Sequence, residues 1–396
     1  MVDTPMNVAA PDADDRNWQD WAARWSIRSD TTYLNHGSFG PPALAVRQAR
    51  HDWLDRLDEQ PMDVLVRQRE DALRESIARL AGFVRTAADN LVLVENATFA
   101  MNTVASSFSL VPGDEVLLTD HEYGAVRRIW DRAARRAGAT VRTVELPFPP
   151  QDPQQVVEAI TSAITDRTKL VVFSHVTSPT ALHLPAREIC RSCRQRDVAV
   201  CIDGPHAVGQ LPLELDRLEC DFYTASCHKW LSGPLGSGFL YVHPRRQAGM
   251  EPLNLSWGRL EPDAPRSWQD EFLWTGTRDF AALAALPPTI DLVESVGVEA
   301  LGERGHFLAS YGADLIDQWS GYPPLADHRR WYGMMVCAEL PPGEPLPLRD
   351  ALWHRYRIEA PIIQFAGRRF VRISCHLYNT RRHVEYLSQA LRELVG

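Results

Sequence analysis

Short apolar runs alternate with amphipathic stretches in the middle of the chain, between about residues 90 and 242. The apolar runs are short and rich in β-branched residues, which predicts strands, whereas the stretches between them carry apolar residues at helical spacing. The predicted strands are NLVLV, EVLLTD, TVRTVEL, KLVVFSHV, VAVCIDG, CDFYTAS and SGFLYV. Strands that alternate with helices predict an α/β fold with a mostly parallel seven-stranded sheet and helices on both faces.

The pattern changes on either side of this region. The stretch from Arg245 to Thr275 is rich in Pro, Trp and Gly and predicts a long loop. Beyond it, helical patterns lead to the strand-like runs WYGMMVCAEL and RFVRISC, which indicate a second, smaller α+β unit. We therefore expect an N-terminal segment over residues 1–35, a large domain over 36–295 and a small C-terminal domain over 296–396.

Composition narrows the class of protein. Hydrophobic residues make up 45% of the 396 residues, and the formal net charge of −9 argues against a general nucleic-acid binder. We find neither an apolar run of the roughly 20 residues that cross a bilayer nor a signal peptide in the acidic N-terminal stretch, so we expect a cytoplasmic protein. Cys190 and Cys193 form a C-x-x-C pair with no second pair nearby, which favours helix packing over a metal site.

Polar residues collect where two of the predicted strands end. Asp203 and His206 follow VAVCI, and Ser226, His228 and Lys229 follow CDFYTA. In folds of this class the ligand lies beyond the carboxyl ends of the strands. A lysine at such a place is either a solvated surface ammonium group or the partner of a carbonyl cofactor in a Schiff base. Asp203 favours the second interpretation, because a pyridine-ring cofactor needs a carboxylate partner for its ring nitrogen.

The stretch ENATFAMN follows the predicted strand NLVLV and opens a helix. The backbone N–H groups at this helix start, together with the Thr98 hydroxyl, predict an anion site suited to a phosphate group. An ordinary helix cap by Asn96 or Thr98 explains the same residues. The two interpretations use the same geometry and are compatible.

Several motifs taken together resemble those of the pyridoxal-phosphate (PLP) enzymes of aminotransferase class V, nearest to the branch typified by isopenicillin N epimerase. The resemblance runs from about Tyr33 to the C-terminus and implies PLP fold type I with PLP as cofactor. Each motif is weak alone, but their order and spacing are specific. They are ENATFAMN, DHEYGAV, SHVTSPTALHLP, CIDGPHAVGQLPL, SCHKWLSGPLGSGFLYV, WTGTRD and FVRISCHLYNT.

The resemblance implies roles for particular residues. Lys229 matches the Schiff-base lysine, and Asp203 matches the partner of the pyridine nitrogen. His206 falls where a side chain approaches the phenolic oxygen of the ring, and Tyr123 falls where a ring stacks on the cofactor and can serve in catalysis. The phosphate cradle is matched by four residues: Ala97, Thr98, Ser226 and His228.

Further positions match contacts to substrate and to a second subunit. Thr277 matches the threonine that reaches the phosphate from the partner subunit of a homodimer. Arg372 matches the arginine that grips the substrate α-carboxylate, for which its planar fork is suited. The N-terminal stretch YLNHGSFGPP is typical of the epimerase-like branch, and it offers three candidate substrate contacts, Asn35, His36 and Ser38; a turn that serves only the backbone explains it equally well.

One departure separates this chain from the cysteine desulfurases of the same class. Those enzymes carry a reactive cysteine on a loop shortly before the matching arginine. Here the corresponding stretch, IEAPIIQFAGRRFVRIS, contains no cysteine, and Cys375 follows Arg372 inside a predicted strand. We therefore expect buried packing for Cys375 and no persulfide-forming desulfurase activity.

The expected function is a PLP-dependent reaction at Cα or Cβ of a bulky L-amino acid or amino-acid conjugate, epimerase-like and belonging to secondary metabolism. A C–S β-lyase, a decarboxylating or oxidatively deaminating enzyme and an aminotransferase remain alternatives, since the same carbanion leads to several outcomes. The Trp-rich loop predicts a wall of a wide pocket or a dimer surface, and its Arg259 is a solvated arginine or holds a second anionic group. Two other classes are disfavoured: about 30 residues before Tyr33 cannot hold a DNA-binding domain, and no serine lies in a G-x-S-x-G hydrolase motif.

Overall fold

The computed structural model describes residues 14–257 and 265–395. Its strands β1 to β12 span Thr32–Tyr33, Leu91–Val94, Glu115–Thr119, Thr140–Val144, Thr168–Ser174, Ala199–Asp203, Phe222–Ser226, Gly238–Val242, Met335–Leu340, Ile358–Glu359, Ile362–Phe365 and Arg368–Ser374. Its α-helices span Gln19–Ala22, Leu44–Glu59, Pro61–Asp63, Arg69–Phe83, Ala97–Ser107, Gly124–Ala137, Pro153–Ser162, Ala186–Arg194, Leu215–Leu218, Asp270–Leu273, Ala281–Ala284, Leu286–Val296, Val298–Ser320, His328–Trp331, Pro345–Tyr356 and Arg381–Val395. Short 3₁₀ turns lie at Asp15–Trp18, Ala88–Asn90 and Pro244–Arg246, and a π turn at Val64–Gln68.

The described chain forms two compact units. One contains residues 38–295, and the other combines the N-terminal residues up to 37 with residues 296–395. The N-terminal segment therefore belongs to the same unit as the C-terminal region. Its strand β1 pairs in parallel with β10, at Thr32 with Ile358 and Tyr33 with Glu359.

The larger unit contains the predicted seven-stranded sheet, in the order β2-β8-β7-β6-β5-β3-β4. Strand β8 runs antiparallel to both of its neighbours, and the pairs from β7 to β4 are parallel. All residues of β2, β3, β6, β7 and β8 are buried. This explains why those strands read as continuous apolar runs, because a parallel sheet is covered by helices on both faces. The predicted α/β architecture is confirmed.

Topology brings distant parts of the sequence to one edge of this sheet. Strands β3, β5, β6 and β7 are parallel, and β2 runs in the same direction as β7 because β8 is antiparallel to both. The carboxyl ends of these five strands therefore lie along the same edge, with Val94, Thr119, Ser174, Asp203 and Ser226 as last residues. In doubly wound sheets this edge is where ligands bind.

A glycine permits close packing at this edge. Gly238 opens β8 opposite Val94 and Ser226. A Cβ atom there would lie 2.5 Å from the Ala225 carbonyl oxygen and 2.8 Å from Asn96 Cα. No other residue fits without moving backbone, so glycine at this position sets how closely the start of the helix Ala97–Ser107 approaches the sheet.

The smaller unit has an antiparallel sheet in the order β11-β12-β9. It contains the two predicted runs, as β9 and β12, together with β11, which the sequence pattern did not predict. Strand β11 covers only four residues, of which Ile362 alone is buried, so it carries little hydrophobic signal. The helix Val298–Ser320 buries its apolar stripe within this unit, with Leu308 and Ile316 fully buried.

The predicted loop from Arg245 to Thr275 is not entirely irregular, since a 3₁₀ turn and the short helix Asp270–Leu273 interrupt it. Trp274 is buried and Trp257 is exposed. Arg259 lies outside the described residues. Within the described ranges, no single helix is long and apolar enough to cross a bilayer; residues 281–296 and 298–320 reach that length and composition only as two helices taken together.

Candidate active site

Asp203 ends β6 with its carboxyl group buried at the carboxyl edge of the large sheet. The Thr224 hydroxyl donates a hydrogen bond to Asp203 Oδ1 at 3.0 Å. Burial raises the pKa of Asp203 to about 6, although the Lys229 ammonium group and the Thr224 hydroxyl act to lower it. The carboxyl group therefore has few hydrogen-bond donors for its buried position. A cationic N–H partner would stabilise its anion.

Lys229 comes three residues after the end of β7 and lies at the same place. Its Nζ atom is 3.1 Å from Nε2 of His206, which is buried. Gly209, with φ +90°, supports this arrangement, because a Cβ atom there would lie 2.7 Å from the Trp230 carbonyl carbon. The structure therefore brings together the lysine, the acid and the histidine that the sequence singled out.

The predicted phosphate cradle is assembled from two strand ends. Ser226 Oγ accepts a hydrogen bond from the Ala97 amide at 2.9 Å, which joins the end of β7 to the first turn of the helix Ala97–Ser107. Asn96 is the cap of that helix, since its side chain accepts from the Phe99 amide at 2.9 Å. Thr98 is exposed on the first turn. The cap interpretation and the anion-site interpretation are thus both compatible with this geometry.

His228 stands next to Lys229 and is neutral at physiological pH. Burial lowers the pKa of His228 to about 4, with a further contribution from the Lys229 charge. Its carbonyl oxygen accepts a hydrogen bond from the Gly40 amide at 2.9 Å. This bond brings the residues that follow Ser38 beside the Lys229 loop.

Tyr123 is the residue before the helix Gly124–Ala137, and 54% of it is exposed. The preceding residue, Glu122, is buried and accepts hydrogen bonds from the Thr119 hydroxyl at 2.6 Å and the Ser174 hydroxyl at 2.8 Å. Burial raises the pKa of Glu122 to about 7, and the negative charge of Asp203 contributes in the same direction. The motif DHEYGAV was singled out for its tyrosine, and the buried glutamate was missed.

Thr277 is exposed and lies beside an ion pair that the sequence did not reveal. Arg278 pairs with Glu95, and both side chains are largely withdrawn from solvent. Glu95 precedes the cradle residue Ala97 by two positions, so this ion pair ties the WTGTRD segment to the cradle of the same chain. A pairing over such a sequence distance leaves no local signal.

Three of the substrate candidates, Asn35, His36 and Arg372, lie in the smaller unit, and the fourth, Ser38, is the first residue of the larger one. Arg372 is buried in β12, pairs with Cys337 of β9, and its backbone amide donates to the Pro361 carbonyl oxygen at 3.0 Å. Asn35 forms an isolated parallel bridge with Ser374, two residues beyond Arg372. The structure thus places Asn35 close to the strand that carries the arginine.

His36 is fully buried in the smaller unit. Its Nδ1 atom lies 2.8 Å from the Tyr378 hydroxyl, and its ring stacks on His376 with centroids 4.1 Å apart. These contacts build a compact group of aromatic and imidazole rings around the N-terminal motif. Tyr378 and His376 belong to the motif FVRISCHLYNT, in which only the arginine has a predicted role.

All seven cysteines lie in the described part of the chain, and each is buried and outside any disulfide. Cys190 and Cys193 pack inward from the helix Ala186–Arg194. Burial raises the pKa of Cys193 to about 12 and also raises the pKa of Cys375. Protonated, buried thiols are poor nucleophiles.

Comparisons with known proteins identify the family of the chain. The aminotransferase class-V family matches residues 60–340. Isopenicillin N epimerase of Amycolatopsis lactamdurans is 38% identical over 95% of this chain and 98% of its own length. Putative L-cysteine desulfhydrase 1 of Oryza sativa subsp. japonica is 31% identical over 92% of this chain and 83% of its own length.

Among solved structures, a complex of the cystine C–S lyase C-DES with cysteine persulfide has a TM-score of 0.81 and 23% identity, over 92% of this chain and 97% of that one. This likeness confirms the predicted fold type I. The family match and the identity to the epimerase confirm the resemblance that the motifs indicated. The chain belongs to the aminotransferase class-V family.

Proposed function

We propose that this chain is a PLP-dependent enzyme that acts at Cα of a bulky L-amino acid or amino-acid conjugate, with epimerisation as its reaction. The observation that carries the proposal is the group of Asp203, Lys229 and His206 at the carboxyl edge of the large sheet. The 38% identity to isopenicillin N epimerase over nearly the whole chain supports the choice of reaction.

The residues present fit PLP. Burial raises the pKa of the Asp203 carboxyl group, and a cationic N–H partner such as a pyridinium nitrogen would stabilise its anion. A lysine lies within reach of that acid, and a helix start with a close glycine approach suits a phosphate group. When bound, PLP withdraws electrons from the bonds at Cα of an attached amino acid.

The chain's own residues then have separate tasks. Lys229 would hold the cofactor covalently, and its amine, when free, would take the Cα proton of the substrate as general base. Asp203 keeps the ring nitrogen protonated, and His206 stands beside Lys229 at 3.1 Å, where it orients the amine. As the family resemblance implies, Tyr123 would stack on the cofactor ring, and it is a candidate for returning a proton to the other face of Cα.

Contacts to the phosphate and substrate complete the proposed site. Ala97, Thr98, Ser226 and His228 hold the phosphate, and the neutral state of His228 makes it a hydrogen-bonding partner rather than a countercharge. Arg372 binds the substrate α-carboxylate, with Asn35, His36 and Ser38 as further substrate contacts. Thr277 reaches the phosphate of a second subunit, so we expect a homodimer, which sedimentation of the purified protein will test.

The covalent role of Lys229 has a direct test. Lys229→Ala should lose the visible absorption band of the bound cofactor and reduce turnover by about 1000-fold or more, as expected when a covalent and general-base residue is removed. Arg245→Ala, which changes a cation at the opposite end of the sheet, is the control. A colourless wild-type protein that takes up no added PLP would refute the cofactor assignment.

The role of Arg372 is tested by separating substrate from cofactor. Arg372→Ala removes a bidentate charged contact, so KM for the amino acid should rise about 10- to 100-fold. The dissociation constant of PLP should change far less. Comparable losses in both quantities would show that Arg372 has another role.

A C–S lyase is the second candidate, because the desulfhydrase relative is 31% identical over most of the chain. Incubation with candidate amino acids in D₂O separates the two reactions. Deuterium at Cα with inverted configuration identifies an epimerase, whereas a released thiol together with pyruvate identifies a lyase. Loss of CO₂, or transfer of the amino group, would contradict both.

A further inference from the structure

We propose that Glu122 is a positioning residue of the cofactor site, which anchors the Tyr123 loop to the end of β5 and places a second ionisable carboxyl group beside Asp203. The inference deepens the proposed function and rests on it. None of the roles assigned so far uses this side chain. It is nonetheless 6% exposed and lies at the ligand-binding edge of the sheet.

Three donors hold the Glu122 carboxyl group. Oε1 accepts from the Thr119 hydroxyl at 2.6 Å and from the Ser174 amide at 3.1 Å, and Oε2 accepts from the Ser174 hydroxyl at 2.8 Å. Thr119 ends β3 and Ser174 ends β5, which are adjacent in the sheet. The carboxyl group therefore closes the junction between two strands, and Tyr123 follows it directly in the chain.

This arrangement makes Glu122 a fixed point for the tyrosine. Its hydrogen bonds leave the Glu122 side chain little rotational freedom. Because Tyr123 is the next residue, the position of its backbone is restricted as well. Tyr123 itself is more than half exposed and lacks such packing. A loop that presents an exposed ring needs an anchor elsewhere, because ordering a loosely packed side chain costs conformational entropy.

Glu122 also acts on Asp203 through charge. Ser174 pairs with Asp203 across β5 and β6, so the two acids lie on either side of this strand end. The other titratable groups in reach are the Cys201 thiol, whose pKa Glu122 helps to raise, and Lys229, which acts on Asp203. Buried His175 stays neutral, because burial lowers its pKa to about 4.

The charge coupling has a predictable sign. Burial raises the pKa of Glu122 to about 7, and the Asp203 anion adds a smaller contribution in the same direction. A cationic ring bound at Asp203 offsets that negative charge, so the pKa of Glu122 falls on binding and Glu122 releases a proton. Binding that releases a proton becomes tighter as pH rises, until pH exceeds the pKa of the free protein. PLP affinity should therefore increase towards pH 7 and then level off.

The experiment measures the dissociation constant of PLP, added to cofactor-free protein, at pH 6 and pH 8. Glu122→Gln removes the charge but keeps the size of the side chain. Because one linked proton is lost, the gain in PLP affinity from pH 6 to pH 8 should be at least about threefold smaller in this variant than in wild type. Glu122→Asp should restore part of the gain. Ser174→Ala should weaken binding about threefold through the lost anchor and, because the Ser174 hydroxyl lowers the pKa of Glu122, should shift the rise in affinity to higher pH.

Glu115→Gln is the matched control. Glu115 is a buried glutamate at the opposite end of β3, and it also accepts from a threonine hydroxyl, Thr168 Oγ1 at 2.6 Å. This variant should bind PLP as the wild type does at both pH values. The inference is overturned if Glu122→Gln follows the wild-type pH dependence within the error of the control, or if Ser174→Ala binds as tightly as wild type. A wild type that binds no PLP refutes the proposed function instead.

Discussion

Two buried aspartates at opposite ends of the central sheet differ in how fully their carboxylates are satisfied. Asp221 immediately precedes β7, where the Arg245 and Arg246 Nε atoms each donate to its Oδ1 at 2.8 Å and the Val200 amide donates to its Oδ2 at 2.9 Å. Burial acts to raise the pKa of Asp221, but the hydrogen bonds from the two arginines outweigh it and leave that pKa lowered.

Asp203, at the other end of the sheet, has the opposite balance. Among the hydrogen bonds that the structure describes, its side chain accepts one, from Thr224, and it is attracted by one ammonium group, so burial raises its pKa to about 6. Asp221, whose carboxylate has several hydrogen-bond donors, thus stabilises the fold. Asp203, which has few, is the one that we propose to bind a ligand. The small number of hydrogen-bond donors, rather than burial alone, distinguishes the carboxylate that we propose to be functional.

The largest effect that the comparison predicts is on turnover. Asp203→Asn should retain PLP yet lower kcat by about 100-fold or more, because a neutral amide no longer holds the proton on the ring nitrogen. Asp221→Asn should leave kcat within about threefold of wild type, since it lies at the distant end of the strands. Steady-state kinetics on both fully loaded variants will decide; similar kcat values for the two would remove the functional distinction.

The second effect is on stability, and here Asp221 rather than Asp203 should give the larger loss when it is replaced. Asp221→Asn leaves two arginines without their anion and should lower the free energy of unfolding by about 2–3 kcal/mol, moderated by the partial exposure of both guanidinium groups. Because the folded-state pKa of Asp221 lies below its unfolded value, this stabilisation is present above about pH 4 and is lost as pH falls through the folded pKa. Urea unfolding at pH 7 and about pH 2, well below the ordinary pKa of an aspartate, checks both statements. An equal difference between wild type and variant at the two pH values would contradict them.

Many residues of the candidate site could be predicted from the sequence because they directly follow predicted strands. Asp203 and Lys229 each come directly after a short apolar run, and parallel topology brings such ends together whatever their distance in sequence. The central strands could be predicted for the same reason, since a buried parallel strand is a nearly unbroken apolar run. Roles for Arg372 and Thr277 came from the family resemblance, because nothing in their local pattern separates them from ordinary arginines and threonines.

What the sequence did not reveal depends on contacts between distant segments. Glu122 is an acid in a polar loop until Ser174 is placed against it, and Glu95 reads as a surface residue until Arg278 pairs with it. Strand β11 escaped prediction because four residues with one buried position have no usable period. Burial and partner identity are tertiary properties, and hydrophobic periodicity reports only which face of an element is covered.

The smallest effect is the sharpest test of the comparison, since it predicts that removing a carboxylate stabilises the protein. In cofactor-free enzyme the folded pKa of Asp203, about 6, lies above its ordinary value of 3.8, so the folded state resists ionisation. Stability is therefore lost between about pH 4 and pH 6 and stays lower above that range. A shift of about two units sets an upper bound near 3 kcal/mol, and after relaxation of the site we expect about 1 kcal/mol.

Asp203→Asn has no such ionisation and should unfold at higher urea concentration than wild type at pH 7.5, with the difference vanishing near pH 4. Added PLP should reverse the order, because wild type gains binding free energy from the charged partner and the variant gains less. Asp221→Asn should be less stable than wild type with or without PLP. If cofactor-free Asp203→Asn were also destabilised at pH 7.5, the Asp203 carboxylate would be adequately solvated in the folded protein, and its contrast with Asp221 would have to be explained by something other than missing donors.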